Sequence, residues 1–293
     1  MDVTSLGLRT DLALLERAGS TVEDRGDHLV VRTPRNPAFY WGNFFVLDHV
    51  PDSDAIAEWL ERFVATLPGA RHRAFAFDRP DGELGELAGF AEQGFSIDAL
   101  TVMTARSVQL PPVPNAEATY RALSSDGDWE QSILLTLACH DGYEENHLEF
   151  VTLRVESNRA LVSDGHGQWF GAFSDDRLVT QMGLITAGSG LARFQSVETH
   201  PEFRRRGLAG TLVHHVGQYG IAELDAETLV MVADPNDAAI RIYRTVGFTA
   251  SESELQAELA PGSSRGSQLP SRQPECRPDP SVCRTPPGMA TSS

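Results

Sequence analysis

Apolar residues recur along the chain at two spacings, and the switches between them outline its elements. The runs "HLVVRT" (28–33), "NFFVLDHV" (43–50) and "HRAFAFD" (72–78) are short, nearly continuous and rich in Val and Phe, as buried strands are. Between the second and third, "SDAIAEWLERFVATL" places Ile56, Trp59, Leu60 and Phe63 on one helical stripe, with Ser53 as the expected cap. "GELGELAGFAEQG" (82–94) reads as a weaker helix and "IDALTVMTA" (97–105) as a strand. After "LPPVPN" (110–115) the pattern predicts a strand at "TYRAL" and helices at "DWEQSILLTLACH" and "HLEFVTLRVES". Three strands follow, "GQWFGAFS", "RLVTQMGLITA" and "ARFQSVETH", joined by turns at "DD" and "GSG". A helix from about Gly207, the strand "TLVMVAD", a helix over 237–246 and a last strand at "GFTA" complete the series.

Strands alternating with helices imply an α/β protein with a mixed sheet. The expected division is a first domain over 1–109, a proline-stiffened linker at 110–115, a second domain over 116–256 and a disordered tail at 257–293. The tail is rich in Pro, Ser and Gly and has few large apolar residues to bury. The halves echo one another. "FAFDRPDGELGELAGFAEQGF" and "VMVADPNDAAIRIYRTVGF" both run strand, Asp, turn, helix, then aromatic-x3-Gly-Phe, so Phe90, Gly94 and Phe95 match Tyr243, Gly247 and Phe248.

The formal net charge is −17, and all 24 Lys+Arg residues are arginine. That field repels phosphate backbones and excludes nucleic acid as an expected partner, while it favours a cationic substrate such as an amine. No membrane span or signal peptide is expected, which implies a cytoplasmic protein. Cys139, Cys276 and Cys283 form no metal or disulfide framework, and His214 and His215, adjacent in a helix, point apart; no metal is expected.

Against this acidity, "THPEFRRRGLAGTL" (199–212) concentrates three arginines before glycine and small residues at a helix start. A helix start offers unpaired N–H groups and a partial positive charge. Gly207 lacks a Cβ that would hold a phosphate off, Ala209 and Gly210 leave the first turn open, and guanidinium forks suit phosphate. The segment reads as a pyrophosphate cradle or as an ordinary solvated arginine run, and by itself leaves both open.

Arg204-Arg205-Arg206-Gly207-Leu208-Ala209 resembles the R/Q-x-x-G-x-G/A acetyl-CoA loop of the GNAT superfamily of N-acetyltransferases. "NDAAIRIYRTVGF" resembles that family's next segment, carried by Asn236, Ala239, Tyr243, Gly247 and Phe248. The match covers about 118–252, and the first half resembles a degenerate copy, as in tandem-GNAT proteins. It has no arginine-glycine loop, carries Asp48, Asp52 and Asp54 nearby, and has Phe90 where Tyr243 stands.

The resemblance implies two GNAT-like domains, of which the second is complete with a splayed mixed sheet flanked by helices. It further implies acetyl-CoA as cosubstrate and direct acetyl transfer to a primary amine of a small molecule. Arg204, Arg205, Arg206, Gly207, Leu208, Ala209 and Gly210 would bind the phosphates, and Val197 and Thr199 would bond the pantetheine arm. Asn236 would bind that arm or cap a helix. Tyr243 would be the acid for the departing thiolate, or a core tyrosine. Glu198 is the first candidate for base and His200 the second, with a Glu198–arginine pair or a water relay as the other readings. Asp141, Glu144 and Glu145, in an acidic run, would hold a second cationic group or be a solvated loop. A peptide amine as acceptor, a CoA-binding module without turnover, and a homodimer stay open.

Overall fold

The computed structural model describes residues 1–139 and 147–261. The acidic run with Asp141, Glu144 and Glu145, and the stretch 262–293 with Cys276 and Cys283, lie outside the described residues. The first half contains α1 (Leu6–Arg17), β1 (Thr21–Asp24), β2 (His28–Arg32), β3 (Phe44–Leu47), α2 (Ile56–Thr66), β4 (Arg73–Phe77), α3 (Ala88–Glu92) and β5 (Ser96–Ala105). The second contains β6 (Thr119–Ala122), α4 (Asp126–Cys139), α5 (His147–Ser163), β7 (Gly167–Ser174), β8 (Arg177–Gly188) and β9 (Leu191–Thr199). It ends with α6 (Leu208–Glu223), β10 (Thr228–Ala233), α7 (Ala239–Val246) and β11 (Thr249–Leu259).

All eleven strands join one sheet in the order β1-β2-β3-β4-β11-β5-β10-β9-β8-β7-β6. The centre of that order is a reciprocal exchange. β11, from the end of the second half, lies between β4 and β5 of the first, and β5 lies between β11 and β10. β11 pairs antiparallel with β4 from Leu255↔Phe77 to Leu259↔Arg73, and with β5 from Thr249↔Thr104 to Glu258↔Ser96. β5 pairs antiparallel with β10 from Thr101↔Ala233 to Ala105↔Leu229. Outward from the exchange the order repeats, with parallel β3–β4 on one side and parallel β9–β10 on the other. The internal echo therefore coincides with a pseudo-two-fold.

Helices cover both faces. On one face α2 and α3 bury Ile56, Trp59, Phe63 and Phe90 against Phe45, Phe75 and Phe77, with Leu255 and Ala257 of β11 in the same cluster. In the second half α6 and α7 bury Leu212, Val213, Val216, Ile240, Tyr243 and Val246 against Leu184, Phe194 and Met231. α1 serves both halves: Leu8 and Leu12 pack on Val31, Phe44 and Val46, and Leu14 packs on Leu161 and Ile185. Buried Arg193 of β9 ties it down, with its guanidinium 2.9 Å from Asp11 and donating to Thr10 Oγ1 at 2.9 Å.

Several expectations need correction. The sequence pattern predicts no element before residue 28, yet α1 and β1 lie there; α1 carries one apolar stripe among charges, and only its docking surface makes it legible. Ser53 does not cap α2, which starts after Ala55 without a side-chain cap bond. "GELGELAGFAEQG" yields a single 3₁₀ turn and the five-residue α3. The final strand, read as four residues, runs eleven residues to Leu259. Residues 257–259, assigned to a disordered tail, are therefore strand, held because Leu255 and Ala257 alternate into the first half's core.

The exchange predicts that the halves unfold together. Leu255→Ala should cost about 2–5 kcal/mol, with coincident urea transitions reported by the first half's tryptophans (Trp41, Trp59) and the second's (Trp129, Trp169) in variants retaining one pair each. Separate transitions would show that the halves are independent.

Candidate active site

The two parallel junctions differ. β3 and β4 stay paired to their ends, at Leu47↔Phe77, and Asp78 N donates to Leu47 O at 2.7 Å beyond them. β9 and β10 pair only at Leu191↔Thr228, Ala192↔Leu229 and Arg193↔Val230. Beyond Arg193 the strands part. β9 carries an extra residue there: Gln195 pairs with Gly183 and Glu198 with Gln181, so three steps on β9 oppose two on β8. Ser196, inside the bulge, has φ 48°, and such a bulge bends its strand away. The gap opens in the second half alone.

The loop past the gap is tightly built. Thr199 O accepts from Arg204 Nε at 3.1 Å, and His200 caps the 3₁₀ turn Pro201–Phe203 by accepting from Glu202 N. Arg206 donates to Glu202 O at 2.9 Å and lies over the Phe203 ring at 4.8 Å. Arg205 is exposed at φ 61° and makes no hydrogen bond or ion pair with a described residue. α6 then begins with no side-chain cap bond, so the first N–H groups of Leu208, Ala209 and Gly210 have no intrahelical partner.

The glycines have a different reason from the one expected. Gly207 stands at φ 76°, and a Cβ there would meet Val113 O of the linker at 2.7 Å; one on Gly210 would meet Ile242 at 3.2 Å. Their emptiness admits neighbouring chain rather than a phosphate. "LPPVPN" is accordingly tied to the start of α6: Asn115 donates from N to Thr211 Oγ1 at 2.8 Å and from Nδ2 to Arg206 O at 2.9 Å.

β9 presents opposite faces to opposite layers. Val197 packs against the α6–α7 core. Glu198 points into a cavity of about 140 Å³ walled by α4, α5, β7, β8 and Phe39 of the first half. There Glu198 Oε2 accepts from Thr136 Oγ1 at 2.8 Å and Gln181 Nε2 at 2.6 Å, and Gln181 Oε1 accepts from Ser132 Oγ at 2.6 Å. Arg154 of α5 lines the same space. Burial pulls its guanidinium down to about 10, while the charges of Glu198 and Asp11 act in the opposite sense.

The remaining candidates are more scattered. Tyr243 is 2% exposed on the inner face of α7, within the core cluster. Asn236 is exposed and three residues ahead of α7; Asp237, not Asn236, serves that start by accepting from Ala239 N at 2.7 Å. Arg177 Nη2 lies 2.8 Å from His200 Nε2, away from the cavity, and desolvation first and Arg177 second lower the imidazole's pKa. His215 stacks on Tyr120, 5.1 Å between centroids. Sequence reasoning missed Ser132, Thr136, Arg154, Gln181 and Phe39. They come from four separate segments and share no spacing.

Comparison with known proteins bears on the fold. Residues 171–257 match the family model described as FR47-like protein. No curated protein sequence matches the chain. A conserved protein of unknown function from Staphylococcus epidermidis superposes with TM-score 0.67 at 15% identity, over 80% of this chain and 92% of that one. A GCN5-related N-acetyltransferase from Kribbella flavida gives 0.59 at 16%, over 88% and 97%. A tandem GNAT protein from the clavulanic acid biosynthesis pathway gives 0.52 at 15%, over 90% of both chains. At such identities the likeness is one of fold: this chain has the GNAT fold in tandem arrangement.

The start of α4, which carries Ser132 and Thr136, depends on Asp128. Its carboxylate accepts from both Arg121 terminal nitrogens at 2.8 Å and from Ser124 N at 2.9 Å, and Arg121 foremost holds its pKa far below the usual carboxylate range. A depressed folded-state pKa stabilises above the unfolded value near 4, and that stability is lost as pH falls. Asp128→Asn should thus cost about 2–3 kcal/mol at pH 7, with the deficit shrinking between pH 4 and pH 2. Urea unfolding across that range checks it; a deficit independent of pH would exclude the charge.

Proposed function

We propose that the protein is an acetyl-CoA-dependent N-acetyltransferase acting on a primary amine of a small molecule. The observation that carries this reading is the opened β9–β10 junction. It has an uncapped helix start at its mouth and a polar cavity on the other face of β9, whereas the equivalent β3–β4 junction is closed.

The residues fit an acetyl-CoA molecule entering the gap. The N–H groups of Leu208, Ala209 and Gly210 take pyrophosphate oxygens, and exposed Arg205 and Arg206 add charge-assisted bonds. Arg204 shapes the loop through Thr199 O, and Gly207 gives it its turn. Backbone groups of Val197 and Thr199, no longer followed by β10, are available to the pantetheine arm, with exposed Asn236 across the gap. The bound thioester supplies an activated acetyl group. Glu198, on the cavity side, takes a proton from the incoming ammonium, directly or through water. The neutral nitrogen then bonds to the acetyl carbon as the carbon–sulfur bond breaks. Tyr243 gives its proton to the leaving thiolate and recovers one from the amide nitrogen, so that ammonium and thioester become amide, thiol and one released proton.

A cavity of about 140 Å³, below the 300–1,000 Å³ of drug-sized sites, favours a small molecule over a peptide amine. Among the described residues no helix is long and apolar enough to cross a membrane. With a charge of −17, we take the protein to work in the cytoplasm without nucleic acid.

Two variants test these roles by thiol release. Arg205→Asn, chosen because Asn tolerates the left-handed backbone, should raise KM for acetyl-CoA about 10-fold with little change in kcat. Tyr243→Phe should lower kcat about 10- to 100-fold and leave acetyl-CoA affinity within about 2-fold. Calorimetric CoA binding without thiol release across an amine panel would instead mark a binding module.

A further inference from the structure

The cavity behind β9 holds a cation as well as a carboxylate. Arg154 projects from α5, with its guanidinium 4.1 Å from the centroid of the Phe39 ring. It makes no hydrogen bond with a described residue. The nearby carboxylates are engaged elsewhere: Asp11 with Arg193 at 2.9 Å, and Glu198 with Thr136 and Gln181. Its side chain is half-buried, so the fork reaches the cavity, and a ligand anion there would gain charge-assisted hydrogen bonds from it.

Resting on the acetyl-transfer reading, we propose that the acceptor is a small amino carboxylic acid, its carboxylate held by the Arg154 fork and its ammonium directed to Glu198. The two charges come from opposite walls, Arg154 from a helix and Glu198 from the sheet, so a zwitterion complements both. A plain monoamine leaves Arg154 unpaired, and a diamine adds repulsion. A substrate with a second cationic group, one reading of the acidic run, therefore suits this cavity poorly. The planar fork matches a carboxylate bidentately, and the Phe39 face fixes its plane. Phe39 belongs to the first half, which lacks an open junction of its own. It is 6.2 Å from Phe150 of α5, centroid to centroid. The first half thereby positions the group that selects the substrate.

The test measures thiol release by the full chain with acetyl-CoA and four acceptor sets: alkylamines, diamines, aminoalkyl phosphates and amino carboxylic acids. Amino carboxylic acids should exceed chain-matched alkylamines about 100-fold in kcat/KM. Arg154→Gln should erase that preference, mainly through KM, while alkylamine turnover and acetyl-CoA affinity stay within about 2-fold. Arg154→Lys, which keeps the charge without the fork, should recover part of it, and Phe39→Leu should weaken it about 5-fold. Equal losses on every acceptor in Arg154→Gln, or a preference for amines lacking a carboxylate or for aminoalkyl phosphates, would overturn the proposal and leave acetyl transfer standing. If no amine releases thiol, acetyl transfer fails instead. Calorimetry with the same amino acids then decides: binding lost in Arg154→Gln supports the anion site, and absence of binding removes it.

Discussion

The pairing of β5 with β11 governs the rest of the molecule. A strand edge with unpaired N–H and C=O groups must be covered or paired. Here each half completes the other's sheet with its own last strand, so β4 is bonded to β11 and β10 to β5. Neither half has a full set of partners within its own sequence. The exchange also sets the halves at a fixed relation, which lets α1 bridge both sheets and brings Phe39 against Arg154.

Within that pseudo-symmetric frame, one inserted residue in β9 accompanies the difference between the two parallel junctions. The β3–β4 junction is bonded to its end and passes into Asp78, whose carboxylate accepts from the backbone N–H groups of Thr4 and Ser5. The β9–β10 junction loses pairing after Arg193, where the bulge at Ser196 turns β9 aside. One duplicated architecture thus yields a closed junction and an open one.

Charge follows the same division. In an acidic chain the arginines around the site are used differently: Arg204 and Arg206 fasten the loop, Arg193 holds α1, and Arg205 and Arg154 make no hydrogen bond with a described residue. The network of Ser132, Gln181, Thr136 and Glu198 fixes the carboxylate on the cavity wall. Buried polar networks of this kind hold a geometry because an unmatched member is expensive.

Most of the strands, the hairpin turns and the internal echo were legible in the amino-acid sequence, because alternation, turn chemistry and helical spacing are local. Asp175 and Asp176 at φ 48° and 62°, and Ser189 and Gly190 at 51° and 70°, take up the turns that "DD" and "GSG" announce. The arginine-glycine loop was legible too, since its residues are contiguous. What makes Gly207 necessary was not: that depends on Val113, which is remote in sequence. α1, the length of β11, the strand exchange and the cavity set of Phe39, Ser132, Thr136, Arg154 and Gln181 were decided only by tertiary structure. Each rests on a contact between segments tens to hundreds of residues apart, and such contacts leave no spacing in a single chain. Local sequence specified which pieces form. Long-range pairing specified which junction opens and which charges meet behind it.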